Sequence, residues 1–342
     1  MKERLKVCDP MNVRRIEYMD IFRGIGIILM IMGHIWFGQI FDTFKAAFHM
    51  PMFFIISGFF FKHKSKEELS TFEFILKKAK TLLVPYLIFG IFHFLIYCFI
   101  LGNHDFKPLF HLLSWNNNGL AIAGALWFLS ALFIANVIYF IIDRFVHNIY
   151  IKLIIILVIA ISGNYIELLH PPFSLSAAFV GVGLMHIGFL LNHFQFTKVI
   201  SFLLNLKLLP FLALSAITVF LIFVNQHVNM RLGIYSNPLL FWFNATSATV
   251  LGINLSKKIE TVFSDTILCN ILIEIGEYSI VYVCLNQLVI QVLSKSVDGI
   301  LLNKLLILSF SLLILFILSR LIFKTNLRFI VGKSINFKNL IY

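Results

Sequence analysis

The sequence predicts an all-α, polytopic membrane protein of about ten transmembrane helices with both termini in the cytoplasm. Three observations carry that expectation. Of the 342 residues, 60% are hydrophobic and only 13% charged, and mean hydropathy is +0.93. Soluble domains keep about a quarter of their residues charged, so this chain has too few to cover a surface facing water. Apolar runs near the ~20-residue length that a bilayer demands recur ten times, and the basic residues between them are distributed unevenly.

The runs fall near residues 20–41, 46–61, 82–101, 120–142, 151–169, 173–192, 208–225, 237–255, 271–294 and 300–323. The first begins after Asp20, the second is the shortest, the third opens behind the basic run Lys77, Lys78, Lys80, and the eighth is the most polar. With a cytoplasmic N-terminus, alternate segments hold twenty-one Lys and Arg inside against five outside (Lys45, Lys107, Arg231, Lys295 and Lys304). The positive-inside rule asks for that bias of an N-in, C-in, ten-helix chain. The net charge of +12 therefore reports topology and not nucleic-acid binding. Cys8, Cys98, Cys269 and Cys284 form no CxxC pair, which argues against a zinc site or a disulfide framework. Lys2, Arg4, Lys6, Arg14 and Arg15 precede a long apolar run with no small-residue cleavage pattern, so no removable signal peptide is expected. No repeat or linker interrupts residues 1–342, which read as one membrane domain.

Arg23 and His34 are the most informative pair. Eleven residues at about 100° and 1.5 Å each return to nearly the same helix face some 16 Å further along the axis. An arginine at a helix centre costs about 2.5 to 3.5 kcal/mol on insertion scales, so one sharing a stripe with a histidine points to a site. Asp20, three residues earlier, is placed to orient the guanidinium. Gly24, Gly26 and Gly33 would let a ligand or helix approach closely. The competing reading is an interfacial Arg paired with Asp20 and a hydrogen-bonded core His. His49 and Ser57 follow in the second run. His49 falls near the emerging first helix and would share a vestibule with His34, or else caps a helix entry beside Pro51. Ser57 is read chiefly as bonding a helix carbonyl. Lys77, Lys78 and Lys80 are either an anion site or an ordinary cytoplasmic anchor.

The succession Arg15 to Gly24, Gly33-His34, Phe48 to Gly58, the basic run ahead of Pro85-Tyr86, Leu126 to Leu129, and Gly276 to Ser279 before Asn286 resembles the acyltransferase-3 family. That family comprises bacterial integral-membrane O-acyltransferases and includes a fucose 4-O-acetylase-like group acting on surface polysaccharides. The resemblance runs in order from about Arg14 to Gln287. It implies a multi-pass protein of the bacterial cytoplasmic membrane, with no permanently bound cofactor and no metal. The implied reaction moves an acyl group, most simply acetyl from acetyl-CoA, to a sugar hydroxyl on a lipid-linked or surface glycan. It further implies His34 as the catalytic residue and Arg23 with Lys77, Lys78 and Lys80 as the acyl-CoA phosphate site. The family's paired arginines fall on Lys77 and Lys80, and lysine lacks the bidentate fork. Where many members carry a histidine, this chain has Asn286, an amide that orients a hydroxyl but does not titrate. His49, Trp127 and Asn286 are the expected acceptor-side contacts. No stretch reads as the extracytoplasmic esterase-like domain that some members carry. The main alternative is a transporter or flippase for a glycan or lipid-linked precursor, which would need mid-membrane carboxylates; Glu167, Glu274 and Glu277 fall near span ends instead.

Overall fold

The computed structural model describes residues 16–62, 70–102, 105–113, 124–169, 171–294 and 301–333. The cations from Lys2 to Arg15, Cys8, Lys64, Lys66, Lys295 and Lys338 lie outside the described residues. Among the described residues every extended regular element is a helix: α1 (Glu17–Ile35), α2 (Gln39–Ala46), α3 (Pro51–Phe59), α4 (Thr71–Lys78), α5 (Val84–Leu101), α6 (Lys107–Leu113), α7 (Trp127–Phe145), α8 (Ile149–Gly163), α9 (Leu175–His193), α10 (Lys198–Leu203), α11 (Leu208–Asn225), α12 (Pro238–Phe263), α13 (Ile267–Glu277), α14 (Ser279–Ser294) and α15 (Leu301–Lys324). Seven helices among the described residues are long and apolar enough to cross a bilayer, or eight if the bent pair α13–α14 is one span. This is a multi-pass membrane fold.

The difference from ten runs has physical causes. α3 is 9 residues and α8 is 15, roughly 14 and 22 Å against a hydrocarbon core of about 30 Å. Pro51 opens α3 at its first turn, where the missing N–H costs nothing. α3 lies against α9 backbone to backbone: the Gly58 Cβ position meets the Met185 carbonyl and that of Gly188 meets the Ile55 carbonyl, so neither site accepts a side chain. The first run breaks at Trp36, which takes a left-handed conformation (φ 65°) and donates its N–H to the Met32 carbonyl at 3.1 Å. The chain then re-enters as α2. The ninth run bends by 89° at Tyr278. There Tyr278 stacks on Phe323 at 4.2 Å, and Arg320 of α15 donates twice to Glu274, at 2.5 and 2.7 Å.

α1 is the hub, touching α2, α3, α12, α13, α14 and α15. Gly24 receives the Leu272 carbonyl and Gly276 receives that of Asp20, which locks α1 onto α13. α9 is the most enclosed span, whereas α11 and α15 keep most of their surface outward. Leu209, Phe220, Leu313 and Leu321 form part of that outward apolar face, as lipid requires. A buried ion pair, Lys152 Nζ to Asp143 at 2.7 Å, ties α8 to α7.

Between α4 and α5 the helix widens into a π turn at Ala79–Leu83. Pro85 has no N–H to offer the Thr81 carbonyl, so the regular ladder is interrupted there. The Thr81 hydroxyl donates back to the carbonyls of Lys77 and Lys78, at 3.1 and 3.2 Å. At the other end, Ser70 and Glu73 form a reciprocal capping box. The segment carrying the lysines is thus fixed from both sides.

Candidate active site

One face of α1 presents Arg23, Ile27, Met30 and His34 in succession, at steps of four, three and four residues. Ile27 and Met30 are buried, and the two polar ends of this stripe open into different cavities.

Arg23 lines a cleft of about 600 Å³ together with Lys62, Lys77 and Lys78, and among the described residues no carboxylate lines it. Asp20 accepts a hydrogen bond from Arg23 Nη1 at 3.0 Å, and the guanidinium sits 4.9 Å from the Phe60 ring centre. Lys78 lies 5.6 Å over Phe74, which stacks on Phe140 at 3.9 Å. Cations beside flat aromatic walls make a surface for an anion attached to a planar group. Lys80 does not line this cleft; it is exposed on the π turn. Ser57 does line it and donates to Asn136 Oδ1 at 3.3 Å, not to a helix carbonyl.

His34 lines a smaller cavity of about 230 Å³, with Asp42, Lys45, His49, Trp127, His227, Asn229 and Arg231 among its walls. Lys45 pairs with Asp42 at 2.9 Å and lies across Gly33, where only the absent Cβ leaves room. His49 Nδ1–H donates to the Lys45 carbonyl at 2.8 Å. His34 Nδ1 is 3.0 Å from the side-chain amide of Gln287. Burial lowers Arg231 from the ordinary guanidinium value, and it remains a cation at neutral pH.

The structure therefore brings His34, His49 and Trp127 together, and Arg23 with Lys77 and Lys78. It does not bring Asn286 to either cavity. That side chain is fully buried and donates to the carbonyls of Tyr282 and Val283, at 2.8 and 2.9 Å. Its neighbour Gln287 takes the place beside His34. The sequence reading also passed over Lys62, His227 and Arg231. Ser279, Val283 and Gln287 recur every four residues, a signal that selects Gln287 once Val283 is known to face inward. The loop carrying His227 and Arg231 has no such period.

Among the described residues the two cavities share no lining residue. Phe53 and Phe128, with ring centres 5.6 Å apart, line the first, while Met30, Met50 and Trp127 line the second. The stripe on α1 thus ends in two cavities, with apolar side chains such as Ile27 and Met30 buried between its polar ends. No group of three or more His, Cys, Asp or Glu able to hold a metal occurs among the described residues.

A helical, multi-pass scaffold whose central helix carries a cation and an imidazole on one stripe defines a class of membrane protein with a candidate site along that helix. Residues 16–323 match the family model of the acyltransferase-3 acyltransferase domain, so the chain belongs to that family and is a membrane acyltransferase. Comparisons with curated proteins and with solved structures return no match.

Proposed function

We propose that the protein transfers an acetyl group from acetyl-CoA to a sugar hydroxyl of a lipid-linked or surface glycan at the bacterial cytoplasmic membrane. The observation that carries this reading is the placement of Arg23 and His34 on one face of α1, each in its own cavity. The cleft at the lysine-rich end has the size of an ordinary ligand pocket and four cations for the donor's phosphates. The histidine-lined cavity is smaller than such pockets usually are, which suits a reacting end and not a whole carrier.

His34 acts as general base: its unprotonated ring nitrogen takes the proton of the acceptor hydroxyl as the oxygen attacks the thioester carbonyl. The C–S bond breaks, the thiolate leaves with coenzyme A, and the proton held by His34 neutralises it or passes to water. Arg23, oriented by Asp20, and Lys77 and Lys78 hold donor phosphates. His49 and Trp127 border the acceptor. Apolar side chains between the two cavities, Ile27 and Met30 among them, have to move for the thioester arm to pass.

The test is purified protein with labelled acetyl-CoA and total membrane glycans from the producing cells, each glycan pool weighed by mass spectrometry. Coenzyme release that depends on the glycan, with a gain of one acetyl unit, is the expected result. Glycan movement across vesicles without coenzyme release would establish transport instead.

A further inference from the structure

We infer that Gln287 is the positioning residue for His34, with its side-chain carbonyl accepting a hydrogen bond from Nδ1–H and so leaving Nε2 as the basic nitrogen. The inference rests on the reading of His34 as general base and names the group that makes it one.

As placed, the Gln287 amide turns Nε2 towards His34 Nδ1 at 3.0 Å, and its Oε1 is buried without a hydrogen-bond partner among the described residues. The two ends of a glutamine amide are nearly identical in shape, so their assignment follows from chemistry. With the NH2 group donating to Nδ1, the histidine proton sits on Nε2, at the opposite edge of the ring. The nitrogen left for the cavity is then a donor and accepts no proton. After any protonation the ring would confront the NH2 group with a second N–H, and the contact would be lost. With the carbonyl facing Nδ1, the same hydrogen bond survives in both the neutral and the cationic ring. Only this arrangement supports a full cycle of proton uptake and release at Nε2.

The backbone builds the contact firmly. Gln287 lies one turn beyond Val283 on α14, and α14 packs directly on α1. His49 offers a parallel within the same cavity, since the Lys45 carbonyl performs for it what Gln287 performs for His34. A neutral amide sets the tautomer without adding charge to a cavity where Asp42, Lys45, His49, His227 and Arg231 already face the ring, and Lys304 of α15 binds the Trp36 carbonyl nearby.

The experiment uses the full chain in detergent, with ¹⁵N-labelled histidine and the His34 signals identified by their loss in H34Q. A pyrrole-type shift at Nδ1 and a pyridine-type shift at Nε2 are expected at alkaline pH; the reverse pattern overturns the inference. Two variants extend it. Q287M keeps the volume without the acceptor and should mix the tautomers, with acetyl transfer reduced on the order of 10²-fold and the donor KM unchanged. Q287E supplies a charged acceptor and should retain transfer while moving the acid limb of the pH–rate profile upward by about one unit. A Q287M protein as active as the native chain, or a Q287E profile superimposed on the native one, overturns the inference alone. Full activity in H34Q would instead remove the base assignment beneath it.

Discussion

At the scale of single residues, the stripe on α1 divides two tasks. Replacing His34 by Ala should lower acetyl transfer by at least about 10²-fold, the usual contribution of a general base, with membrane abundance unchanged by immunoblot. Arg23→Ala should act on donor binding: a raised KM for acetyl-CoA with a smaller change in kcat, read from initial rates at varied donor. Asp20→Asn should follow in the same direction and less far, because it only orients the guanidinium. Asn286→Ala should behave differently. Its amide serves the carbonyls of its own helix, so the change should lower the melting temperature in detergent and leave both Michaelis constants in place. Asp20, Arg23 and His34 were legible because helical period alone relates them. Gln287 was not read, since choosing it over Asn286 needs the rotation of α14, and adjacent residues on a helix point about 100° apart.

At the scale of elements, hydropathy located the helices and misjudged their ends. An apolar run says nothing of where backbone hydrogen bonding stops, so the helix of α3 closes after nine residues of a longer run. The bend at Tyr278 was equally hidden, because Gly276, Glu277 and Ser279 beside it do not lower the hydropathy of the surrounding run enough to divide it. Two local devices carry predictions. Gly58→Ala or Gly188→Ala forces a methyl group into a carbonyl of the facing helix, and either should destabilise the fold by about 1 to 3 kcal/mol, measured by thermal unfolding in detergent. Pro85→Ala restores the N–H that the π turn lacks. If the turn sets the phase of Lys77 and Lys78, straightening it should raise the donor KM without loss of stability, and an unchanged KM would show that those lysines reach the donor without it.

At the scale of the whole molecule, the distribution of Lys and Arg makes a claim about sidedness that the helices alone do not. Single cysteines at Lys62 and Asn229 in a chain lacking its own four should divide accordingly. In intact cells the first should react only with a permeant maleimide, and the second with an impermeant one. The fold class itself was legible from composition, whereas the depth of each cavity depended on contacts between distant helices. The apolar middle of the stripe has one last consequence. A water-filled bore through a multi-pass protein would short-circuit any ion gradient held across its membrane. With Ile27 and Met30 buried between the cationic cleft and the imidazole cavity, passage along the stripe requires side chains to move, so the two ends need not stand open together.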